Sequence, residues 1–575
     1  MLETQEKTLS TESTTRMNGA KAIMECLVHE GVELIYGYPG GAIMPVYDAL
    51  YDYQDQVQHV LTRHEQGATH AAQGYARVTN KTGVVFATSG PGATNLVTGL
   101  ADALIDSTPM VCITGQVFAK LLGTDAFQET DVISITMAVT KWNYQITKAS
   151  EIPDVMAKAF YIANSGRPGP VIIDITKNAQ LELLDFAYKK TTAIRSYNPI
   201  QKADENELTK AAELLNNAKK PYILFGQGVT LSGAETELKQ LVEKSGIPAA
   251  WTILGLSAME TDHPLNVGML GMHGNYAPNV LTNECDVLFA VGMRFDDRVT
   301  GKVDGYAPQA KVIHLDIDPS EINKIIEADV ALVGDAKETL QRLLPLIEQN
   351  VHPEWLQQFK DLDQMEWDKV IEKEIQPKEG LITMGEVIHL INEETEGDHI
   401  IVTDVGQHQM VACRYAKFAK HRSNVTSGGL GTMGFALPAG LGAQMGAPDR
   451  CVIAVIGDGG FQMTIQELAT IAQTKTPLKI LILNNQFLGM VRQWQELFFD
   501  KRYSSVELEN PDFQMISEGM GVPAILTKER ASLKADIQKW LNHEGPCLLE
   551  VRVGKENNVF PMVPAGATVA EIRLD

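Results

Sequence analysis

The stretch that decides the fold is CVIAVIGDGGFQMTIQELATIAQTKTPLKILILNN, residues 451–485. It opens with a short apolar run that ends in glycine and aspartate, and it closes with a second apolar run that ends in two asparagines. Between the runs, apolar residues such as Ile465, Leu468 and Ile471 recur at helical spacing. The order strand, helix, strand predicts a right-handed crossover that makes the two strands parallel and often adjacent.

Polar side chains follow both predicted strands. Asp458 follows the first strand, and the pair Asn484-Asn485 follows the second. Because the carboxyl ends of parallel strands form the ligand-binding edge of an α/β sheet, we expect these side chains to converge. One carboxylate and one carboxamide supply the hard oxygen ligands that Mg²⁺ accepts, with phosphate and water as the remaining ligands.

The glycines at the first turn have two interpretations. A Gly-Asp-Gly sequence on its own is usually no more than a connection between a strand and a helix. Here 24 residues separate Gly459 from the asparagine pair, which follows a second buried strand. This spacing favours a site where Gly457, Gly459 and Gly460 let a diphosphate approach the backbone near a helix N-terminus.

The same alternation of short apolar runs with segments of helical length recurs along most of the 575 residues. Runs that end in glycine or proline, separated by helices, are typical of parallel strands in βαβ units. Two stretches lack this alternation, and we interpret them as connectors between domains. They are 181–208, which is polar and irregular, and 348–380, which is charged and partly helical. We therefore predict an α/β protein with three doubly wound parallel-sheet domains, near 1–190, 191–365 and 366–575.

Composition restricts the class of partner and compartment. The chain is 44% hydrophobic and carries a net charge of −23, which argues against nucleic acid or an anionic membrane surface as partner. Its six cysteines form no CxxC pair, so we expect reduced thiols in a reducing compartment. The first residues are polar and acidic, and no apolar stretch could span a bilayer, so we expect no leader peptide and a cytoplasmic location.

The GDG motif, followed about two dozen residues later by NN, resembles the cofactor signature of thiamine-diphosphate enzymes. The resemblance implies that Asp458, Asn485 and the main-chain oxygen of Phe487 bind Mg²⁺. It also implies that the segment 428–443 contacts the aminopyrimidine ring, with Gly431 offering its carbonyl and Met433 supporting a bent cofactor. Further implied cofactor contacts are Gln407, His408 and Met490.

Thiamine chemistry also requires a carboxylate that holds the ring nitrogen of the aminopyrimidine. Glu65 follows an apolar stretch and opens a helix of small residues. Taken alone, it is better explained as a first-turn glutamate that complements the helix dipole. In thiamine enzymes, however, this glutamate lies in the first domain and the diphosphate site in the last, which is the order found here. The resemblance further implies a homodimer or homotetramer with active sites between subunits.

Several other motifs narrow the family. Together they resemble the large, catalytic subunits of acetohydroxyacid synthase, also called acetolactate synthase, from about residue 15 to the end of the chain. In that family the three domains bind the thiamine pyrimidine, FAD and the diphosphate with Mg²⁺, in this order. The motifs are YGYPGGAIMPVYDAL (36–50), SGPGATN (89–95), GTDAFQE (123–129), SGRPGPV (165–171), GMLGMHG (268–274), RFDDRVTG (294–301) and GMVRQWQ (489–495).

This resemblance implies a reaction. Pyruvate is decarboxylated, and the two-carbon unit is transferred to a second pyruvate or to 2-oxobutyrate. Gly41 would let the backbone approach the reacting centre, Phe127 and Gln128 would line the substrate pocket, and Trp494 would contact the extra methyl of 2-oxobutyrate. Trp494 as a plain core residue is the competing interpretation. Arg492 is interpreted as a solvated or structural charge.

The resemblance also implies that the central domain binds FAD as a structural group. Arg294 and Arg298 follow one predicted strand, and Asp316 and Asp318 end another. At such strand ends a carboxylate can bind a ribose hydroxyl and an arginine can bind phosphate. Without the resemblance, it is an equally good interpretation that these residues form charge pairs at the protein surface. The "RFDDR" stretch favours the biosynthetic, FAD-bearing enzymes over the catabolic ones, which lack flavin. The implied flavin residues are Arg167, His273, Arg294, Arg298, Asp316 and Asp335.

Two other functions remain open at this stage. One is an FAD-dependent pyruvate oxidase of similar architecture, and the other is a non-catalytic homologue kept for assembly. The presence of Glu65, Asp458 and Asn485 argues against the second. A small regulatory subunit that binds valine-type amino acids is a further implied partner, because no segment of this chain resembles an amino-acid-sensing domain.

Overall fold

The computed structural model describes residues 15–199 and 201–575 and divides the chain into two compact units. The first unit holds the residues up to Ala72 together with Thr82–Tyr197, and the second holds Gln73–Lys81 and Asn198–Asp575. The expected absence of a leader peptide rests on the first residues, of which 1–14 lie outside the described part. Within the described part, every helix is too short or too polar to cross a membrane.

The first unit contains a six-stranded parallel sheet in the spatial order β3-β2-β4-β5-β7-β6, and β1 pairs antiparallel with β8. Its strands are β1 (Thr15–Asn18), β2 (Leu34–Gly37), β3 (Gln58–Leu61), β4 (Gly83–Ala87), β5 (Met110–Gln116), β6 (Trp142–Ile146), β7 (Pro170–Thr176) and β8 (Leu183–Phe186). The helices are α1 (Gly19–His29), α2 (Met44–Leu50), α3 (Glu65–Thr79), α4 (Pro91–Thr94), α5 (Val97–Ile105), α6 (Val132–Thr136), α7 (Ile152–Asn164) and α8 (Lys177–Leu181). The part of α3 from Gln73 onward belongs to the second unit.

The second unit contains two further parallel sheets. The first has the order β11-β10-β9-β12-β13-β14. Starting from β9, the next two strands along the chain are added on one side and the last three on the other, so the strand order reverses between β9 and β12. Its strands are β9 (Pro221–Phe225), β10 (Ala249–Trp251), β11 (Asn266–Met269), β12 (Val287–Val291), β13 (Lys311–Asp316) and β14 (Val330–Val333). The helices are α9 (Glu205–Asn217), α10 (Gln227–Ser232), α11 (Glu235–Ser245), α12 (Tyr276–Thr282), α13 (Asp297–Thr300) and α14 (Ala336–Leu343).

The last sheet has the order β16-β15-β17-β18-β20-β19. Its strands are β15 (His399–Thr403), β16 (Asn424–Thr426), β17 (Cys451–Gly457), β18 (Lys479–Asn484), β19 (Ala524–Thr527) and β20 (Cys547–Arg552). The helices are α15 (Pro353–Glu366), a π-helical turn (Trp367–Ile371), α16 (Glu372–Ile375), α17 (Met384–Thr395), α18 (Gln407–Tyr415), α19 (Ala436–Gly446), α20 (Asp458–Met463), α21 (Glu467–Thr474), α22 (Gly489–Phe498), α23 (Phe513–Gly519) and α24 (Arg530–Leu541).

The predicted fold class is confirmed, and two of the three sheets share one topology. Counted along the chain within its own sheet, the spatial order is 2-1-3-4-6-5 in both the first and the last sheet. The central sheet has the order 3-2-1-4-5-6, which is typical of dinucleotide-binding folds. The central strands of each sheet, such as β5, β12 and β18, are buried at every residue, which is why they read as continuous apolar runs.

The connectors differ in part from their predictions. The segment 181–208 is not irregular throughout, because Leu183–Phe186 forms β8 and Glu205 begins α9. Strand β8 alternates exposed and buried residues, a pattern that a search for continuous apolar runs misses. The segment 348–380 is partly helical, as predicted. All six cysteines are free, in agreement with the expectation of reduced thiols.

Candidate functional site

Asp458 and the asparagine pair lie together at one sheet edge. Strands β17 and β18 are adjacent and parallel, as the sequence predicts. Asp458 is buried at the start of α20, and the backbone N–H of Gln486 donates to its carboxylate. The side-chain amide of Asn510 donates to Asp458 Oδ2 at 2.6 Å and to Asn484 Oδ1 at 3.2 Å. Burial raises the pKa of Asp458 to about 6.

The side-chain oxygen of Asn485 faces the turn that carries Phe487. Asn485 Nδ2 donates to Gln407 Oε1 at 3.2 Å, while Asn485 Oδ1 accepts the N–H of Phe487 at 3.2 Å. Gln407 is itself fixed by donating to Gln493 Oε1 at 2.9 Å. The Asn485 side-chain amide is therefore oriented with its oxygen toward the turn. In this orientation the oxygen could serve as a ligand for a hard cation beside Asp458.

The glycines of this turn leave no room for a side chain. A Cβ on Gly457 would lie 2.7 Å from the ring of His408, and one on Gly460 would lie 2.4 Å from Asp404 Oδ1. The crossing helix is shorter than the sequence predicts, because α20 ends at Met463 and α21 begins only at Glu467. Backbone and buried polar groups thus approach closely around Asp458, as a diphosphate cradle requires.

His408 supplies a direct test of whether a diphosphate fits here. Its ring is buried, and Nε2 has no hydrogen-bond partner among the described residues. Burial lowers its pKa to about 3, so the ring is neutral at physiological pH. A neutral imidazole with its proton on Nε2 can donate to a phosphate oxygen, so the residues present fit the predicted group.

Asp404 organises the loop that carries Gly431 and Met433, and the sequence reasoning missed it. Its carboxylate accepts the N–H of Gly434 at 3.0 Å and of Ala436 at 3.1 Å. Burial raises the pKa of Asp404 to about 6. Gly431 has φ +68°, a conformation that glycine adopts without strain. The position of Asp404, directly after the buried strand β15, is the signal that could have identified it.

The helix α22 carries Met490, Arg492 and Trp494. Met490 and Trp494 are half-buried, and the Trp494 ring lies 5.8 Å from that of Phe498. Trp494 is therefore not a core residue, which removes the competing interpretation. The solvated alternative for Arg492 is wrong, because its side chain is fully buried and donates to Asn558 Oδ1 at 2.6 Å.

Glu65 lies in the first unit, at the first residue of α3. Its side chain is buried, and Oε2 accepts a hydrogen bond from Asn95 Nδ2 at 2.9 Å. A Cβ on Gly92 would lie 3.2 Å from Oε1, so the α4 turn packs closely against the carboxylate. Glu65 is thus a buried first-turn acid with one neutral hydrogen-bond donor, which agrees with both interpretations from the sequence.

The predicted substrate residues of the first unit are on its surface. Gly41 is exposed, and its carbonyl accepts a hydrogen bond from Lys177 Nζ at 3.1 Å. The Phe127 side chain is 88% exposed. Gln128 has φ +59°, and its backbone approaches Gly90 so closely that a Cβ there would lie 2.9 Å from the Gln128 carbonyl oxygen.

Glycines from two loops pack closely against each other where the strand order of the central sheet reverses, between β9 and β12. The N–H of Gly228 donates to the carbonyl of Gly292 at 3.0 Å, and a Cβ on Gly226 would lie 2.6 Å from the same oxygen. Crevices at such switch points are where doubly wound sheets bind nucleotides. The sequence reasoning missed Gly226 and Gly228, although the G-x-G spacing directly after β9 could have identified them.

The predicted flavin residues fall into two groups. His273 is buried, its Nδ1 has no partner among the described residues, and burial lowers its pKa to about 4, so its geometry fits a bound polar group. Arg294 is half-buried and Arg298 is exposed, 3.5 Å from Met272 Sδ. A cavity of about 160 Å³ adjoins Arg298.

The remaining flavin residues already have local roles. Asp316 ends β13 and accepts the N–H of Asp318 at 2.8 Å. Asp335 caps α14 by accepting the N–H of Glu338 at 3.0 Å. Arg167 lies in the first unit and donates to Ser107 Oγ at 2.8 Å. Their contacts with a flavin stay predictions.

Comparison with known proteins gives a consistent result over the whole chain. Three models of thiamine pyrophosphate enzymes match: the N-terminal TPP binding domain at residues 17–135, the central domain at 208–343 and the C-terminal TPP binding domain at 404–551. The acetolactate synthase isozyme 2 large subunit of Escherichia coli is 46% identical over 97% of this chain and 99% of its own length. The chain belongs to the acetolactate synthase large-subunit family.

Other members of the acetolactate synthase family come from distant organisms. The large subunit of Corynebacterium glutamicum is 46% identical over 97% of this chain and 90% of its own length. The probable large subunit of Methanocaldococcus jannaschii is 44% identical over 97% of this chain and 95% of its own length. The resemblance seen in the sequence motifs is confirmed.

Asn510 gives a first test of the metal site expected in an acetolactate synthase family member. It is held by Gln462, which donates to its Oδ1 at 3.0 Å, so that its amide group points to Asp458. We expect Asn510→Ala to weaken Mg²⁺ binding by about 10–100-fold, because groups that orient metal ligands typically contribute that much. Mg²⁺ titration with thiamine diphosphate present measures it. Asn216→Ala, which removes an amide bonded to Leu346 in the central domain, is the control. An unchanged Mg²⁺ affinity for Asn510→Ala would contradict the assignment.

Proposed function

We propose that the chain is the catalytic subunit of an acetolactate synthase. It decarboxylates pyruvate and transfers the two-carbon unit to a second pyruvate, giving 2-acetolactate, or to 2-oxobutyrate, giving 2-aceto-2-hydroxybutyrate. These are the first common steps toward valine, leucine and isoleucine. The observation that carries the proposal is that Asp458, Asn485 and His408 lie at one sheet edge in a chain that matches acetolactate synthases along almost its full length. The Nε2 of His408 has no partner among the described residues.

The proposed active-site residues have two roles: some would hold the cofactor, and one would hold a proton. Bound thiamine diphosphate supplies the electron sink for decarboxylation. Asp458, Asn485 and the Phe487 carbonyl would hold Mg²⁺ against the diphosphate, and His408 would donate to a phosphate oxygen. Glu65 would hold a proton at the aminopyrimidine ring nitrogen, and its burial keeps water away from that proton.

The substrate side rests on Gly41, Phe127, Gln128 and Trp494. Trp494 would contact the extra methyl of 2-oxobutyrate. One methyl group in an apolar pocket changes the free energy by ~1–3 kcal/mol, so preference between the two acceptors should be moderate. The half-buried position of Trp494 on α22, directly after the metal turn, supports this role.

The proposal includes FAD as a structural group in the central domain. The fit rests on the 3-2-1-4-5-6 strand order, on the closely packed glycines at its switch point, and on buried His273, whose Nδ1 has no partner among the described residues. Pyruvate and 2-oxobutyrate are the substrates, and the cytoplasm is the proposed location.

A homodimer or homotetramer and a small regulatory subunit complete the proposal. The relatives are named large subunits, which supports a smaller partner. Exposed apolar side chains, among them Phe127, Met137 and Phe499, support association with a second copy.

The flavin distinguishes this function from a pyruvate oxidase. In a carboligase, pyruvate turnover transfers no electrons to FAD, so we expect the flavin absorbance to stay constant during anaerobic turnover. Stopped-flow spectroscopy of the holoenzyme with pyruvate measures this. Bleaching of one flavin per active site at the turnover rate would favour the oxidase.

A further inference from the structure

A buried ion pair joins three separate segments of the second unit. Glu366 ends α15 and Arg414 lies near the end of α18, and the Arg414 guanidinium donates to Glu366 Oε1. Both side chains are fully buried. A buried charge left without its partner is strongly unfavourable, so the geometry of one residue constrains that of the other.

The pair holds four consecutive residues of the loop before α12. Arg414 Nη1 donates to the carbonyls of Gly274 at 2.7 Å and His273 at 3.3 Å. Glu366 Oε2 accepts the N–H of Tyr276 at 2.5 Å, and Oε1 accepts from Asn275 Nδ2 at 3.3 Å. The segment 273–276 therefore has its backbone fixed at three points, beside the His273 ring, whose Nδ1 has no partner among the described residues.

The same pair is fixed to the diphosphate site through α18. This helix begins at Gln407 and His408 and carries Arg414 about two turns later. Gln407 orients Asn485, and His408 presents the unpartnered Nε2. Because α18 is one continuous helix, and packed rigid elements can carry coupling between sites, it offers a path from the loop 273–276 through Arg414 to Gln407 and His408.

We propose that the Glu366–Arg414 pair couples the two cofactor sites, so that FAD bound at the loop 273–276 raises the affinity for thiamine diphosphate and Mg²⁺. By linkage, thiamine diphosphate then raises the affinity for FAD by the same factor. Glu366 and Arg414 are positioning residues in this scheme. The coupling rests on the proposed function. In it the flavin undergoes no redox step, and its role is to raise the affinity for the other cofactor.

The test measures binding rather than activity. Isothermal titration calorimetry of the cofactor-free full chain gives the affinity for thiamine diphosphate with Mg²⁺, with and without saturating FAD. For the wild type we expect an increase of about tenfold with FAD, within the usual range of coupling between sites. Arg414→Lys keeps the buried charge but lacks the planar fork that bonds Glu366 and the two carbonyls together, so we expect less than a twofold increase.

Arg450→Lys is the matched control. Arg450 also donates to a buried backbone carbonyl of this unit, that of His399, but it contacts neither the loop 273–276 nor Glu366. We expect the wild-type coupling in this variant. Because Arg414→Lys could fold poorly, hydrogen exchange on the wild type gives an independent reading: thiamine diphosphate and Mg²⁺ alone should slow exchange at 273–276.

The outcomes separate the two levels of the proposal. FAD that binds without changing the affinity for thiamine diphosphate overturns the coupling but leaves the proposed function intact. If the coupling in Arg414→Lys equals that of the wild type, the pair has a structural role only. This holds also when the variant has a lower thermal stability. A failure of FAD to bind at all would instead contradict the flavin part of the proposed function.

Discussion

Glu65→Gln is expected to lower the rate of acetolactate formation by about 10²–10⁴-fold, the usual contribution of a positioned proton-transfer group. Glutamine has the same shape and can still accept the hydrogen bond from Asn95, so the fold around α3 should persist. It cannot hold the proton at the ring nitrogen. Steady-state kinetics at saturating thiamine diphosphate should therefore show the loss in kcat, with thermal stability close to that of the wild type.

The matched control for this variant is Glu182→Gln in the same unit. Glu182 is exposed and accepts the N–H of Ala149 at 3.1 Å, so it also contacts backbone. We expect its activity to be near normal. Near-normal activity of Glu65→Gln itself would remove Glu65 from its proposed role and leave it as a first-turn acid that complements the helix dipole.

Asp458→Asn is expected to weaken the binding of Mg²⁺ and thiamine diphosphate by more than about 100-fold. The loss should exceed that of groups which only orient metal ligands, because the variant removes the charge of a proposed ligand. At low cofactor concentration activity should disappear, and at high concentration it should recover in part, because in the proposed function Asp458 holds the cofactor and performs no step of the chemistry. Cofactor titrations at several Mg²⁺ concentrations distinguish this loss of affinity from a loss of kcat.

Asp512→Asn serves as its control in the same domain. Asp512 caps α23 by accepting the N–H of Met515 at 2.8 Å, and asparagine caps helices about as well as aspartate. Both its stability and its cofactor affinity should stay near the wild type. A fully active Asp458→Asn enzyme with wild-type cofactor affinity would show that the metal site lies elsewhere.

The sequence predicted that Asp458 and the asparagine pair lie at one sheet edge, because the signals for this placement are local. Asp458 and Asn485 each follow a strand that is buried on both faces, and parallel neighbours must bring their carboxyl ends together. Other strands carry no such signal in the sequence. They include β6, β11, β14, β16 and β19, which lie at sheet edges, and β10, which has only three residues. Edge strands are half exposed and short, so they lack a continuous apolar run.

The supporting polar groups could not be predicted for a different physical reason. Asn510 lies in irregular chain between α22 and α23, and nothing in its surroundings signals that it faces Asp458. Arg492 and Arg414 are charged residues on helices, which usually face solvent. Their burial depends on carbonyls and a carboxylate supplied by remote segments such as 556–558 and Glu366.

The central claim is that this chain joins two keto acids on thiamine diphosphate, and product stoichiometry tests it most directly. The purified full-length protein is incubated with pyruvate, Mg²⁺, thiamine diphosphate and FAD, and pyruvate, CO₂ and acetolactate are measured together, the last as acetoin after acidification. We expect one acetolactate and one CO₂ for every two pyruvates consumed. Release of CO₂ with acetate and reduced oxygen, and without acetolactate, would contradict it.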